Sequence, residues 1–167
     1  ESVHDAFIAG HASNSVSVAL GMAKARTLQG ENYSVLALIG DGAMTGGLSF
    51  EGLNNAGTSG EPLIVILNDN GMSIDPNVGA LSRHLAELRM RPGYSAAKER
   101  YRKLVGNTAF YRWTHSIKEG IKRSVLPGSI IFEDMGFTYL GPIDGHDLTQ
   151  LTEKLTLARD LHRPVLL

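Results

Sequence analysis

The sequence predicts an α/β protein built on a parallel β-sheet. Helix-like and strand-like segments alternate over the first seventy residues, in the order helix, strand, helix, strand. This alternation is typical of parallel strands joined by right-handed crossovers. The two strand-like segments contain continuous apolar runs, residues 35–39 and 63–67, rather than alternating apolar and polar residues. Continuous runs predict strands that are buried on both faces.

The first helix is predicted over residues 16–28, which are rich in Ala and Gly. Small side chains let such a helix pack close to a sheet. Ser13 or Ser15 is the expected N-cap, because a hydroxyl can accept from the first helical N–H groups. Gly30 is the expected C-cap, since glycine readily adopts the left-handed conformation that ends many helices. Residues 33–39 follow as the first buried strand.

The second helix and strand are predicted over residues 46–56 and 62–67. The run Thr58-Ser59-Gly60 is expected to end the helix. Much later, residues 130–135 fit a helix or a strand equally well, because the apolar run is too short to distinguish them.

The C-terminal segment is predicted to return to the α/β pattern. Residues 138–143 resemble a strand, and Asp147 is a good N-cap for a following helix. His146 lies in the turn before that helix, and a capped turn explains this run nearly as well as a catalytic role, so both interpretations stay open. Residues 164–167 begin another strand. The apolar positions of the helix follow the helical period: Leu148, Leu151, Leu155 and Ala158.

The middle of the chain differs from both ends in charge. Residues 81–127 carry eleven Lys or Arg and three acids, which leaves five basic and fourteen acidic residues elsewhere. Helices are predicted at 81–90, 95–105 and 109–124, after a loop over 71–80 whose part from 72 to 80 is a candidate lid. We interpret this basic helical insertion as a solvated face or a cover over a phosphate-bearing site, rather than as a nucleic-acid surface.

The composition limits the possible classes of protein. The 167 residues are 43% hydrophobic and carry a net charge of −1, which fits one globular domain without a bulk preference for polyanions. The absence of cysteine excludes disulfides and cysteine-bound zinc. No apolar run approaches the roughly 20 residues of a membrane span. We expect a protein of the bacterial cytoplasm or of a plastid stroma, with no membrane and no nucleic-acid partner.

Two oxygen-rich turns are predicted to form the functional site. Gly40-Asp41-Gly42 ends the first strand and Asn68-Asp69-Asn70 ends the second. Ligands of open α/β sheets bind at the carboxyl ends of the strands. The glycine turn suits an anion, and a Mg²⁺ ion between Asp41 and a phosphate would remove their repulsion. Asn70 can supply a carbonyl oxygen, so we predict a site for Mg²⁺ and a diphosphate.

The motifs around these turns resemble one enzyme family. A GDG followed about thirty residues later by Asn is similar to the metal–diphosphate signature of thiamine-diphosphate enzymes. The segments IGDGAMTGG, SFEGLNNAG, ILNDN with MSI, PNVGALS, GPIDGHD and GHASNSVSVALGMA together resemble 1-deoxy-D-xylulose-5-phosphate synthases, in the transketolase-like branch. The resemblance covers essentially the whole chain. It implies a three-layer fold, with helices on both faces of a parallel sheet.

The resemblance also implies residue roles. Asp41 and the Asn70 side chain would bind Mg²⁺, with the Met72 main-chain carbonyl as a third ligand. The backbone of Gly42 and Ala43 would contact the diphosphate. Two positions depart from the family pattern. The family often has Ser at the position of Ala12 and usually has Glu at the position of Gly71. A second segment, Gly10-His11-Ala12, would also contact the cofactor. His11 in this segment is a possible catalytic group.

By the same resemblance, the enzyme would condense pyruvate with glyceraldehyde 3-phosphate and release carbon dioxide. Its product serves isoprenoid, thiamine and pyridoxal biosynthesis, and the enzyme would be a homodimer. The family activates its cofactor with a Glu from a second domain and uses upstream histidines. We therefore expect residues 1–167 to be one diphosphate-binding domain of a longer enzyme, inactive alone. The alternatives are a subunit of a split transketolase-like enzyme and a non-catalytic diphosphate- or metal-binding module.

Overall fold

A computed structural model describes residues 2–8, 10–69 and 130–167. These residues form helices and strands that alternate along the chain. The elements are α1 (Ser15–Gln29), β1 (Leu36–Gly40), α2 (Asp41–Met44), α3 (Gly47–Ser59), β2 (Ile64–Asn68), α4 (Ile130–Asp134), β3 (Thr138–Tyr139), α5 (Leu148–Asp160) and β4 (Val165–Leu166).

The four strands form one parallel sheet in the order β1-β2-β4-β3. β1 and β2 pair along their full lengths, from Leu36 opposite Ile64 to Gly40 opposite Asn68. The final strand, β4, lies inside this sheet, between β2 and β3. The sequence-based prediction of a parallel α/β sheet is thus confirmed.

Helices pack on both faces of the sheet. On one face, residues of α1, α2, α3 and α4 form a core with the inward side chains of the strands, such as Ala37, Ile39 and Val65. On the other face, Ala158 of α5 packs with Ile64 and Val165. The three-layer arrangement is confirmed.

Small residues allow the two central helices to approach closely. A Cβ atom on Gly52 of α3 would lie 2.8 Å from the Ser17 Oγ of α1 and 3.2 Å from the Val16 Cβ. Any larger side chain at Gly52 would push the helices apart. The absence of a side chain at Gly52 of α3 therefore lets this helix pack closely on α1.

The prediction that β1 is buried on both faces is wrong. Its burial alternates, and Leu36 and Leu38 are 47% and 66% exposed. Ala37 and Ile39 point into the core. Among the described residues, α5 covers the neighbouring strand Ile64–Asn68 on the outer face but does not extend over β1. The apolar run alone cannot reveal which part of a face a helix will cover.

The predicted N-caps of α1 are also wrong. Asn14 occupies the N-cap position, without a side-chain capping hydrogen bond, and Ser15 is the first helical residue. Gly30 is the C-cap as predicted, with φ of 69°. α3 continues through Thr58 and Ser59 and ends at Gly60, because the left-handed glycine rather than the preceding hydroxyl residues stops it.

The C-terminal predictions have mixed outcomes. Residues 130–134 are helical, and Asp147 caps α5 by accepting from the Gln150 N–H at 3.0 Å. β3 is shorter than predicted and comprises only Thr138 and Tyr139. Leu148 is 71% exposed, so only the later part of the α5 apolar row is covered.

Several predictions lie outside the described residues. They concern the loop at 71–80 with its candidate lid and the three basic helices of the insertion at 81–127.

Candidate functional site

The two predicted turns lie side by side at the carboxyl edge of the sheet. Gly40, the last residue of β1, is directly opposite Asn68, the last residue of β2. Adjacent strands are about 4.8 Å apart. Asp41 and Asp69 therefore leave the sheet from neighbouring positions, as the sequence analysis predicts.

Asp41 is buried although it carries a carboxylate. It is the first residue of α2, follows an extended Gly40 and is 5% exposed. An ionised carboxylate is stable in such a position only with hydrogen-bond or ionic partners or with a metal ion. Met44, at the other end of α2, is fully buried in the core and anchors this short helix.

Hydroxyl groups hold the backbone that follows Asp41. The fully buried Ser49 donates its Oγ hydrogen to the carbonyl oxygens of Met44 and Gly46, at 2.8 and 2.7 Å as alternative acceptors. Thr45 Oγ1 donates to the Gly42 carbonyl at 2.7 Å. Neither hydroxyl is singled out by the sequence analysis. Ser49 stabilises the turn between α2 and α3 from the core side, and Thr45 from the exposed side.

The second predicted cofactor segment lies against this turn. Gly10, His11 and Ala12 are exposed. The next residue, Ser13, donates its Oγ hydrogen to the Ala43 carbonyl at 2.7 Å. The structure thus places the C-terminal end of this segment next to Ala43 through Ser13, thirty positions away in the sequence. Sequence reasoning considers Ser13 only as a helix cap and misses this contact.

The remaining predicted ligands follow β2. Asn68 is exposed and Asp69 is partly buried at the end of this strand. Asn70 and Met72, the other predicted ligands of Mg²⁺, lie outside the described residues. Among residues 2–8, 10–69 and 130–167, no three His, Cys, Asp or Glu side chains are grouped to hold a metal.

The donor atoms at this edge fit a hard divalent cation. Carboxylate and carbonyl oxygens are the protein ligands that Mg²⁺ prefers, and Mg²⁺ commonly takes one or two carboxylates together with phosphate oxygens and water. Asp41 is a buried carboxylate beside a short turn with backbone groups next to it. The arrangement can therefore contribute one carboxylate and a turn of main chain to a metal–phosphate site.

The turn containing His146 lies at the same edge, but beside β3. Asp144 accepts from the His146 backbone N–H at 2.9 Å and contacts its Nδ1 at 3.3 Å. These bonds, the backbone bond first, lower the pKa of Asp144 from its ordinary value. β2 and β4 separate β3 from β1, which places these two strands roughly 14 Å apart. His146 is fully exposed, and its contacts with Asp144 are those of a turn that precedes a capped helix.

Comparison with known proteins gives consistent matches. A family model described as 1-deoxy-D-xylulose-5-phosphate synthase matches residues 1–167. The chain is 55% identical to the 1-deoxy-D-xylulose-5-phosphate synthase of Pelotomaculum thermopropionicum, over 99% of this chain and 26% of that protein. It is 48% identical to the synthase of Caldanaerobacter subterraneus, over 100% of this chain and 28% of that protein. The chain thus spans about a quarter of the length of these curated relatives.

Solved structures agree on the fold. A Mycobacterium smegmatis protein assigned as a thiamin diphosphate-dependent enzyme matches 94% of this chain and 22% of its own, with a TM-score of 0.54 and 18% identity. Transketolase from Campylobacter jejuni matches 92% of this chain and 18% of its own, with a TM-score of 0.53 and 23% identity. In the described part of the chain, no helix is both long and apolar enough to cross a bilayer.

Proposed function

The chain belongs to the 1-deoxy-D-xylulose-5-phosphate synthase family, and on that premise we propose that it holds the diphosphate end of thiamine diphosphate together with Mg²⁺. The observation that carries this proposal is the position of Asp41. It is a buried carboxylate at the carboxyl end of a parallel strand, directly beside the end of the neighbouring strand. That edge is where α/β sheets bind ligands.

The proposed ligands form a small oxygen-rich set. Asp41 and the Asn70 side chain would bind Mg²⁺, with the Met72 carbonyl as a further ligand. The metal would let a carboxylate and a diphosphate share one turn, because it neutralises both.

The same turn would contact the cofactor through its main chain. Gly42 and Ala43 would contact the diphosphate, and a second set of contacts would come from an exposed segment beside the turn. Bound thiamine diphosphate supplies the electron sink for chemistry at a carbonyl carbon. The exposed segment beside the turn comprises Gly10, His11 and Ala12, and His11 is its only side chain that can carry a charge.

We propose the family activity for the longer protein of which this chain would be a part. That activity is the condensation of pyruvate with glyceraldehyde 3-phosphate to 1-deoxy-D-xylulose 5-phosphate, with loss of carbon dioxide. We further propose that the longer protein is a homodimer. We place it in the bacterial cytoplasm, since the matched curated relatives are bacterial. The isolated chain is expected to form no product, because it spans about a quarter of their length. Product formation by this chain alone would contradict that expectation.

The metal assignment can be tested on the chain itself with Mn²⁺ in place of Mg²⁺. In the presence of inorganic pyrophosphate, Mn²⁺ bound at Asp41 should broaden the NMR signals of backbone amides around Gly40 and Gly42. This readout detects weak binding, as expected of an incomplete site. Asp41→Asn keeps the side-chain size and removes the charge, so the affinity for Mn²⁺ should fall roughly tenfold or more, at least the effect of losing an outer-shell partner.

Asp134→Asn is the matched control for this experiment. Asp134 is an exposed acid at the end of α4. This helix precedes β3, which lies at the other end of the strand order from β1. The control should broaden like the parent chain. Broadening that persists unchanged in Asp41→Asn would refute Asp41 as a metal ligand.

A further inference from the structure

Ser13 connects two segments that the proposed function assigns to one cofactor. It follows the exposed residues 10–12 and precedes α1. Its Oγ donates to the Ala43 carbonyl oxygen at 2.7 Å, in a partly buried environment. The hydroxyl therefore links the chain before α1 to the turn that begins with Asp41.

This contact is not helix capping. Asn14 is the N-cap residue of α1, and the Ser13 side chain bonds a carbonyl rather than an N–H group of the helix. A capping serine would accept from the N–H of the second or third residue of the helix. Ser13 instead donates across thirty residues, so its hydroxyl acts on α2 and not on α1.

The backbone of Ser13 supports a specific role for this hydroxyl. Its φ is 74°, in the left-handed region that residues other than glycine rarely adopt. Such conformations persist where the surrounding structure holds them, and they are concentrated at functional sites. Glycine would adopt this conformation without strain but could not bond Ala43. The presence of a side chain here thus points to the hydroxyl itself.

Gly46 is shaped to receive Ser13. A Cβ atom on Gly46 would collide with the Ser13 Oγ and lie 3.0 Å from the Ser13 Cβ. The Gly46 N–H also donates to the Ala43 carbonyl, at 3.3 Å. The Ala43 oxygen consequently accepts from both partners. Together, Ser13 and Gly46 fix the peptide that follows Ala43.

We propose that Ser13 is a positioning residue for the Asp41–Met44 turn. By holding the Ala43 carbonyl, its hydroxyl orients the main chain of Gly42 and Ala43 and the buried Asp41 carboxylate toward the ligand. Ser13 acts through Ala43 and does not itself touch the cofactor. The proposal rests on the proposed function, because it assigns Ser13 to the same metal–diphosphate site.

The test compares Ser13→Gly with Ser59→Ala in the same chain. Ser13→Gly removes the hydroxyl and relieves the left-handed backbone, so the fold should persist. Ser59 is the matched control, because its Oγ also donates to a carbonyl, that of Ala56, at 2.7 Å, but at the C-terminal end of α3. Ser13→Ala is a second variant that keeps the Cβ atom and loses only the hydroxyl.

Two measurements are made on each variant. The first is amide hydrogen exchange of Gly46, whose N–H shares the Ala43 carbonyl with Ser13. Exchange should become severalfold faster in both Ser13 variants, with the urea midpoint of Ser13→Gly close to that of the parent. The second is the affinity for Mn²⁺ with inorganic pyrophosphate. It should fall roughly five- to tenfold in both, the scale of one hydrogen bond, and stay unchanged in Ser59→Ala.

The outcomes separate this proposal from the proposed function. If the parent chain binds the probe and both Ser13 variants bind it equally well, the positioning role is refuted while the metal site stands. Unchanged exchange of Gly46 would also refute it. If the parent does not bind the probe, the proposed metal–diphosphate site fails in this chain and Ser13 is reduced to a structural contact.

Discussion

Uncharged residues hold the short helix that begins at Asp41. Met44 anchors α2 in the core, and Ser49 and Ser13 bind the carbonyl groups that follow. These contacts fix the main chain of the turn from which the Asp41 carboxylate projects. At the scale of single residues, the site is thus determined as much by hydroxyl groups as by the acid itself.

The turn at Asp144 offers a prediction about pH at the same scale. The main cause of its lowered pKa is the backbone N–H of His146, and the imidazole contributes second. His146→Ala keeps that N–H, so the pKa of Asp144 should remain below its ordinary value of 3.8. Because the folded-state pKa is depressed, its stabilising contribution is present above pH 3.8 and is lost as the pH falls through the folded-state pKa.

A carbon-detected NMR titration of the Asp144 carboxyl, in the parent and in His146→Ala, measures this pKa directly. A return of the pKa to 3.8 in the variant would show that the imidazole, and not the backbone, is the main cause.

Between elements, Arg26 joins the end of α1 to the starts of two strands. Its side chain is 7% exposed, and its Nη1 donates to the carbonyls of Tyr33 and Pro62, both at 3.0 Å. Its Nη2 contacts Glu61 Oε2 at 3.4 Å. One guanidinium therefore satisfies backbone groups that precede β1 and β2.

We predict that Arg26→Met lowers the free energy of unfolding by about 3 kcal/mol, because it leaves two carbonyls and a largely buried carboxylate without this donor. Arg159→Met is the matched control. Arg159 pairs with Asp160 on the surface, so the control should change stability by less than about 0.5 kcal/mol. Urea unfolding measures both, and equal effects would contradict the assignment.

A second prediction concerns the contact of α3 with the turn after α4. A Cβ atom on Gly57 would overlap the Met135 carbonyl, and Gly136 on the other side has φ of 99°. Gly57→Ala should therefore lower the free energy of unfolding by about 2 kcal/mol through overpacking.

Gly21→Ala is the control for Gly57→Ala. Gly21 lies in α1, where a Cβ atom would meet nothing within 4 Å. The added methyl should stabilise the chain by about 0.5–1 kcal/mol, since alanine favours the helix. Thermal or urea unfolding should give shifts of opposite sign for the two substitutions. Shifts of the same sign would mean that Gly57 is not closely packed.

For the whole molecule, the notable feature is the uneven cover of the sheet. Parallel sheets are usually buried on both faces. Here the inner face of β1 lies in the core, while Leu36 and Leu38 on its outer face are largely exposed among the described residues. The apolar character of β1 therefore exceeds what these described contacts require.

The difference in burial between the two faces of β1 predicts that the same replacement, by threonine, has different effects on stability at Leu38 and Ile39. Leu38→Thr should change the free energy of unfolding by no more than about 0.5 kcal/mol, as for a surface position that suits a strand. Ile39→Thr should cost about 2 kcal/mol or more, because Ile39 is buried and the new hydroxyl would enter the core. A cost for Leu38→Thr close to that of Ile39→Thr would show that the outer face is packed.

Particular residues show how far the sequence predicts the site. The position of Asp41 at the carboxyl end of β1 could be predicted, because a strand, a glycine turn and an acid form a local pattern. Ser13 could not, because its partner Ala43 is thirty residues away and its left-handed backbone leaves no local signature. The exposure of Leu38 could not be predicted either, since it depends on where α5 ends across the sheet.

The sequence by itself determined the parallel α/β architecture, the glycine that ends α1, the Asp147 cap and the pairing of two polar turns at one sheet edge. These features follow from local conformational preference and from periodicity, which neighbouring residues encode. Only the tertiary structure decided the strand order, the exposure of Leu36 and Leu38 among the described residues and the hydrogen bond from Ser13 to the turn of Asp41. These depend on contacts between distant segments, which no short stretch of sequence specifies.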